Sequence, residues 1–395
     1  MDRNIAFGRS TDAGRLGYID GLRAIAVLLV ILFHSRVHAP GVTLNHFFLE
    51  GTHGVDLFFV LSGFCLAAPT LQKLRRDGGA HFDLVAFAAK RFLRIFPPYA
   101  LALLTFAIVG TYAMRLGVAL PAGMLPHFDW SDVASDLIFF DRTDQHINQS
   151  FWTLAIEFRW YFVFPLVLAL WIARARAFVA LLVGVIAASE LTRASSTDLG
   201  VLPAFLLGIV AAHIRVHDHP FARFAPSLGF VAVFAALGLE NIYHFPIQTN
   251  PGWHVVAFAL VVTAGREAWL QRLLSWRWLT GVGVASYSIY LVHEPIVSAT
   301  MGAFVPRFGF ATSLPFAIAF GLAGGVTMWA IIERPLTERG VVAAFVVAAT
   351  GPLRRLFAFA GIPAAMRLAV APAAPLPASA AQVIALAGRD RAAES

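Results

Sequence analysis

The chain has 395 residues, of which 58% are hydrophobic and 13% charged, where an ordinary soluble domain carries roughly a quarter of its residues charged. A mean hydropathy of +0.72 excludes a water-soluble globular protein and points to helices facing lipid. The formal charge of +7 would raise nucleic acid as a partner in a soluble protein. Here the arginines are spread over short loops with no dense patch and no stacking motif, so no nucleic-acid partner is expected.

The N-terminal Arg3, Arg9 and Arg15 precede an apolar run at 24–33 and imitate a signal peptide. No small-residue cleavage site follows, and the run is flanked by Arg23 and His34, so it is expected to be a retained first helix. Crossing the hydrocarbon takes about 20 residues per helix. Segments of that kind lie near 19–37, 53–72, 97–117, 150–172, 177–192, 199–214, 226–243, 252–266, 278–301 and 312–333. The expected fold is therefore all-α: a polytopic membrane protein with about ten transmembrane helices.

Pro97-Pro98 suits the start of the third helix, where missing backbone donors are tolerated. Residues 80–95 mix phenylalanines with Lys90, Arg91 and Arg94 and read as an interfacial amphipathic helix. The 118–149 loop, with Asp129, Asp132, Asp136, Asp141 and Asp144, reads as solvated. Residues 1–340 are expected to form one transmembrane domain, and 341–395 an Ala/Pro-rich tail. Its apolar stretch at 341–349 is too brief to span, so a surface helix and then disorder are expected. The single cysteine, Cys65, permits neither an internal disulfide nor a thiolate metal site.

Loop charge sets the orientation. With the N-terminus cytoplasmic, 23 of the 30 lysines and arginines fall on the inner side and five on the outer. Both termini are therefore expected in the cytoplasm.

Ionisable groups within membrane helices are costly and are the default functional candidates. They are Arg23, His34, Asp56, Glu157, Arg159, Glu190 and His293. Arg23 and His34, eleven residues apart, share nearly one helical face and are separated by about 16 Å along the axis. One stripe thus offers an anion-binding group below and a titratable base above. A snorkelling arginine and a core histidine are the plain alternative. His34 and His38 also have the i, i+4 spacing of metal ligands, with His53 and Asp56 able to approach, but no clear ligand set emerges and no metal is expected.

Asp56, opening the second helix, could hold the His34 imidazole in one tautomer, or simply favour a helix N-terminus. Glu157 matches His34 in depth and is a second candidate partner or base. Arg91 and Arg94, at i, i+3, suit phosphate, although lipid headgroups would bind them equally. Tyr290 and His293 share a face of the ninth helix within Ser286-Tyr287-Ser288-Ile289-Tyr290-Leu291-Val292-His293-Glu294-Pro295. Glu333-Arg334-Pro335 reads as a cap or anchor.

These segments together resemble the acyltransferase family 3 membrane proteins, over residues 18–335. The resemblance rests on Asp20-Gly21-Leu22-Arg23 with His34, the run from Gly54 to Phe64, Arg91 and Arg94 before Pro97, Trp152 to Glu157, and Ser286 to His293, in the family's order. It implies a bacterial inner-membrane enzyme that takes an acyl group, acetyl being the commonest, from cytoplasmic acyl-CoA. The acceptor would be a hydroxyl of a glycan or lipid-linked molecule.

Carried over by residue, the resemblance makes His34 the catalytic base, with Asp56 and Glu157 supporting it or the acceptor. Arg23, Arg91 and Arg94 would hold the donor, and Trp152, Tyr290 and His293 would contact substrate. Some relatives carry an added C-terminal SGNH-type esterase-like domain. None is expected within this chain, so any second transfer step would fall to another protein. The competing class is a transporter or flippase of a polar lipid or sugar, which would also bury charges at mid-depth. Such proteins often show internal repeats and broken helices, and none is visible in the sequence.

Overall fold

The computed structural model describes residues 16–39, 50–139, 146–191, 197–242, 250–361 and 363–369. Asp141, Arg142, Asp144 and Arg193 lie outside these residues, as does the side chain of Glu190. Helices dominate: α1 (Gly17–Val37), α2 (Gly54–Asp77), α3 (Leu84–Arg115), α4 (Trp130–Leu137), α5 (Trp152–Ala173), α6 (Ala175–Leu191) and α7 (Thr197–Val216). They continue with α8 (Ala225–Ile242), α9 (Pro251–Arg266), α10 (Ala268–Leu274), α11 (Arg277–Val284), α12 (Ser286–Phe308) and α13 (Phe310–Met328). Trp329–Glu333 then forms a π-helical turn, and α14 spans Arg339–Phe359.

Eight helices among the described residues are long and apolar enough to cross a membrane. These include α1, α2, α3, α5, α7, α8 and α13, with the shorter α6 beside them. The fold is that of an all-α polytopic integral membrane protein, and each of the ten expected spans coincides with helix.

The centre of the bundle is α1, which packs on α2, α11 and α12. The most extensive helix–helix contact among the described residues is that of α2 with α7. Gly63 and Gly208 face each other there, and a methyl on either would run into the backbone carbonyl of Phe205 or Val60 respectively. Small residues allow such approach where lipid supplies no hydrophobic drive between helices, so dispersion contacts must do the packing.

Four features differ from the sequence expectation. First, Pro97 and Pro98 lie inside α3, which runs unbroken from Leu84 to Arg115. The amphipathic segment and the third span are thus one helix. Asp83 caps its start, accepting from Ala86 N at 2.9 Å, as short carboxylates do at an N-cap.

Second, Gly79–Asp83 (β1) is a strand, paired antiparallel with Ala365–Ala369 (β2) so that Gly79 faces Ala369 and Asp83 faces Ala365. Third, the apolar tail segment continues to Phe359 as α14, which by length and composition alone could span. Its contacts place it beside α3. Phe345 stacks near Phe92 at 6.3 Å, and Arg354 lies 3.3 Å from Asp83. The helix therefore runs antiparallel along the first half of α3. The β2 strand that follows it returns to the end of the bundle where α3 begins.

Fourth, the ninth expected span divides at Ala285 into α11 and α12. Gly283, near the break, lets the α1 backbone at Asp20 approach closer than any side chain would permit.

The described parts of the 118–149 loop, 118–139 and 146–149, are folded. Asp129 and Asp132 form a reciprocal capping box on α4, and the buried Asp136 carboxylate holds His146 Nδ1 at 2.7 Å and accepts from Ile147 N at 2.9 Å. Two of the five aspartates thus cap a helix and one organises the loop interior.

Candidate active site

One turn of α1 fixes the orientation of His34. Its Nδ1 lies 3.0 Å from the Val30 carbonyl oxygen one turn back. A carbonyl can only accept, so Nδ1 carries the proton. The same N–H also faces His293 Nε2 at 3.1 Å. His293 can accept there because its own Nδ1 donates to the Tyr290 carbonyl at 2.7 Å. The consequence is at the other ring nitrogen: His34 Nε2 is left with a lone pair or a second proton. It points to Glu294 Oε1, 3.4 Å away. His38 Nε2 reaches the same oxygen at 3.0 Å.

The second Glu294 oxygen accepts from the Ser150 hydroxyl in a very short contact. Ser150 is brought there by Asn148, whose side chain accepts from Ser150 N at 3.1 Å and donates to the Leu291 carbonyl at 2.9 Å. The start of α5 is thereby pinned to α12 beside the carboxylate. Glu294 is 3% exposed and His293 fully buried, so this cluster sits in a medium where electrostatic contacts are screened little.

Beneath it is a cavity whose lining includes Arg23, Arg91, Arg94, Glu157, Tyr287 and Tyr290. Tyr290 marks its boundary with the histidine cluster. Its hydroxyl is 2.9 Å from Thr153 Oγ1, and its ring lies 5.3 Å from that of His293. Arg91 lies over the rings of Phe87 and Tyr161 at 5.6 and 5.8 Å. Arg94 approaches the buried Glu333 at 4.0 Å, while Glu333 also accepts from Ser288 Oγ at 2.7 Å. Glu333 is carried by the π-helical turn, a backbone irregularity that often accompanies functional positions.

The sequence candidates are distributed unevenly. His34 and His293 meet, and Arg23, Arg91, Arg94, Glu157 and Tyr290 border the cavity. Glu157 accepts from Ser62 Oγ and from the Tyr161 hydroxyl, each at 2.7 Å. Trp152 is half-buried against the core. Asp56 is bound elsewhere: its carboxylate holds His53 Nδ1 at 2.7 Å and lies 3.2 Å from His254 Nε2, clasping α2 to α9. The carboxylate on His34 is Glu294, which the sequence reading quoted but gave no role. Its signal was present, since an acidic residue beside His293 in an apolar span is as costly as the histidine. Arg159 pairs with Asp198 through contacts of 2.8 to 3.1 Å.

A helical bundle with a cavity walled by three arginines, and a histidine–carboxylate cluster beyond it, is the architecture of an all-α polytopic membrane protein. The acyltransferase domain family matches residues 16–333, and the chain belongs to that family, acyltransferase 3. It is similar to the O-acetyltransferase OatA of Staphylococcus aureus strain NCTC 8325 / PS 47 and to that of strain COL. Each is 25% identical over 316 residues, covering 71% of this chain and 50% of the relative. The chain thus spans about half the length of these curated relatives. No solved structure matches it significantly.

Proposed function

We propose that the protein is a membrane O-acyltransferase of the bacterial inner membrane, moving an acyl group, most often acetyl, from acyl-CoA to a hydroxyl of a glycan or lipid-linked acceptor. The observation that carries this reading is the His34 imidazole. Its Nδ1 is committed as a donor to Val30, so that Nε2 is the basic nitrogen, and Glu294 stands beside that nitrogen.

In the proposed reaction, Arg23, Arg91 and Arg94 bind the phosphates of the donor, guanidinium groups being suited to bidentate phosphate contacts. The thioester reaches toward Tyr290 and the histidine cluster. His34 Nε2 takes the proton of the acceptor hydroxyl as its oxygen attacks the thioester carbonyl. The carbon–oxygen bond forms, the carbon–sulfur bond breaks, and the imidazolium returns the proton to the departing thiolate. Glu294 stabilises the imidazolium in between. General-base action of this kind contributes about 10²–10⁴-fold. The charge bias of the loops favours a cytoplasmic donor side, with both termini on that side.

The test is transfer or hydrolysis of labelled acetyl-CoA by purified protein, wild type beside His34→Ala. Loss of label release in the variant supports the reading. A His34→Ala protein that transfers at full rate refutes His34 as the base. Absence of donor binding and turnover across several acyl-CoAs shifts the weight to a transporter.

A further inference from the structure

Two imidazoles and a carboxylate converge on one point at the end of α1. His34 Nε2 and His38 Nε2 lie 3.4 and 3.0 Å from the same oxygen, Glu294 Oε1. The candidate ligand atoms of the three residues all fall within 4.8 Å of one another. We propose that His34, His38 and Glu294 bind one divalent transition-metal ion of the zinc class, and that the bound ion silences the site.

The two nitrogen–oxygen separations are close to those of a coordination polyhedron. Zinc bonds to imidazole nitrogen and carboxylate oxygen of about 2.0–2.2 Å put tetrahedral ligands about 3.3–3.6 Å apart. One observed nitrogen–oxygen separation lies in that range and the other is a few tenths of an ångström below it. The adjustment needed to close the three ligands on one ion falls on His38 at the very end of α1, just beyond its last helical residue. The His34 and His38 rings are stacked within 13° of parallel at 5.7 Å, as i, i+4 histidines on one helical face can be.

The supporting contacts are those that metal ligands require. A ligating histidine donates its remote ring N–H to a carbonyl or carboxylate, which fixes the ligating nitrogen as a lone pair. His34 does this through Val30. The non-ligating oxygen of a carboxylate ligand is ordinarily hydrogen-bonded, and Ser150 supplies that bond. The hydrogen-bonding pattern also leaves a problem that a cation resolves. With Nδ1 protonated, a neutral His34 turns its lone pair on the lone pairs of Glu294. A metal ion between them would relieve that repulsion, as the acceptor proton does in the proposed reaction. The donor set is two imidazoles and one carboxylate, which suits zinc over magnesium or calcium. Three protein ligands leave a fourth position for water.

The inhibitory consequence rests on the proposed role of His34. The metal would occupy the lone pair that takes the acceptor proton, so bound ion and base catalysis exclude each other. Binding itself does not depend on that reading.

The experiment is equilibrium dialysis of the purified protein in detergent against Zn²⁺, with Co²⁺ as a spectroscopic probe. Wild type is expected to take up one equivalent. His34→Ala, His38→Ala and Glu294→Gln should each weaken it by about 100-fold or more, since even outer-shell changes cost 10–100-fold. His53→Ala should retain the equivalent, which separates this cluster from the one around Asp56. His38→Cys should add a sulfur-to-cobalt charge-transfer band, a gained signal that misfolding would not produce.

Wild-type uptake no greater than that of the three ligand variants, or no new band in His38→Cys, overturns the site. Zinc that binds without lowering acetyl transfer overturns the silencing. One bound equivalent in a protein that transfers no acyl group, with or without chelator, leaves the metal site standing and removes the acyltransferase reading.

Discussion

His34 and Glu294 come from helices at opposite ends of the chain, yet Nε2 of one lies 3.4 Å from Oε1 of the other. Each is oriented by its own scaffold: His34 by the Val30 carbonyl, Glu294 by His38 and Ser150. In the proposed reaction a base held in this way would need no reorganisation on becoming an imidazolium, which is the condition for electrostatic stabilisation to act.

Glu294→Gln keeps the shape and removes the charge. Turnover of acetyl-CoA is expected to fall about 10²-fold or more, within the range of general-base contributions. The Michaelis constant for the donor should change little, because Glu294 does not line the cavity that Arg23, Arg91 and Arg94 border. Steady-state kinetics in detergent separate the two parameters. An equal fall in donor affinity would place Glu294 in donor binding instead.

Asp56→Asn should behave differently. The carboxylate bridges His53 and His254 between α2 and α9 and is 1% exposed. Breaking a buried charged contact costs about 3–5 kcal/mol. A marked drop in the thermal melting point is expected, with near-normal turnover per folded molecule. Intact stability with lost turnover would return Asp56 to the chemistry.

Arg94→Ala is expected to raise the Michaelis constant for acyl-CoA about tenfold, equivalent to about 1.4 kcal/mol, with a smaller change in turnover. Glu333→Gln should follow it in the same direction and by less, since Glu333 approaches Arg94 at 4.0 Å and acts by placing it. Donor titrations on both variants test this. A pure turnover defect in Arg94→Ala would remove the phosphate role.

Gly208→Val should abolish recovery of folded protein, because a branched side chain there meets the Val60 carbonyl and the backbone of α2. Gly184→Ala, whose added methyl would meet nothing within 4 Å, should be tolerated and even stabilising, since alanine favours a helix over glycine by about 1 kcal/mol. Size-exclusion profiles of the two proteins decide it.

The positions of the apolar helices were legible in the sequence because they are local quantities. Hydrophobic length and a rise of about 1.5 Å per residue depend on no partner. That is why Arg23 and His34 could be placed on one stripe, and why the ten spans coincide with helix. The strand pair of β1 and β2 left no comparable trace: the strands are five residues each and are joined from distant parts of the chain. The continuation of α3 through Pro97 and Pro98 was equally hidden, since proline normally signals an end.

Lateral neighbours were a tertiary decision. The sequence offered His34 two carboxylates, Asp56 and Glu157, and the one beside it is a third, Glu294. The choice was made by packing. Asp56 is held by His53 and His254 in a clasp onto α9, while the Asn148 bond to Leu291 sets α5 against α12 beside Glu294. Periodicity records which face of a helix is polar. Which helix that face meets is recorded only in how the side chains fit between the backbones.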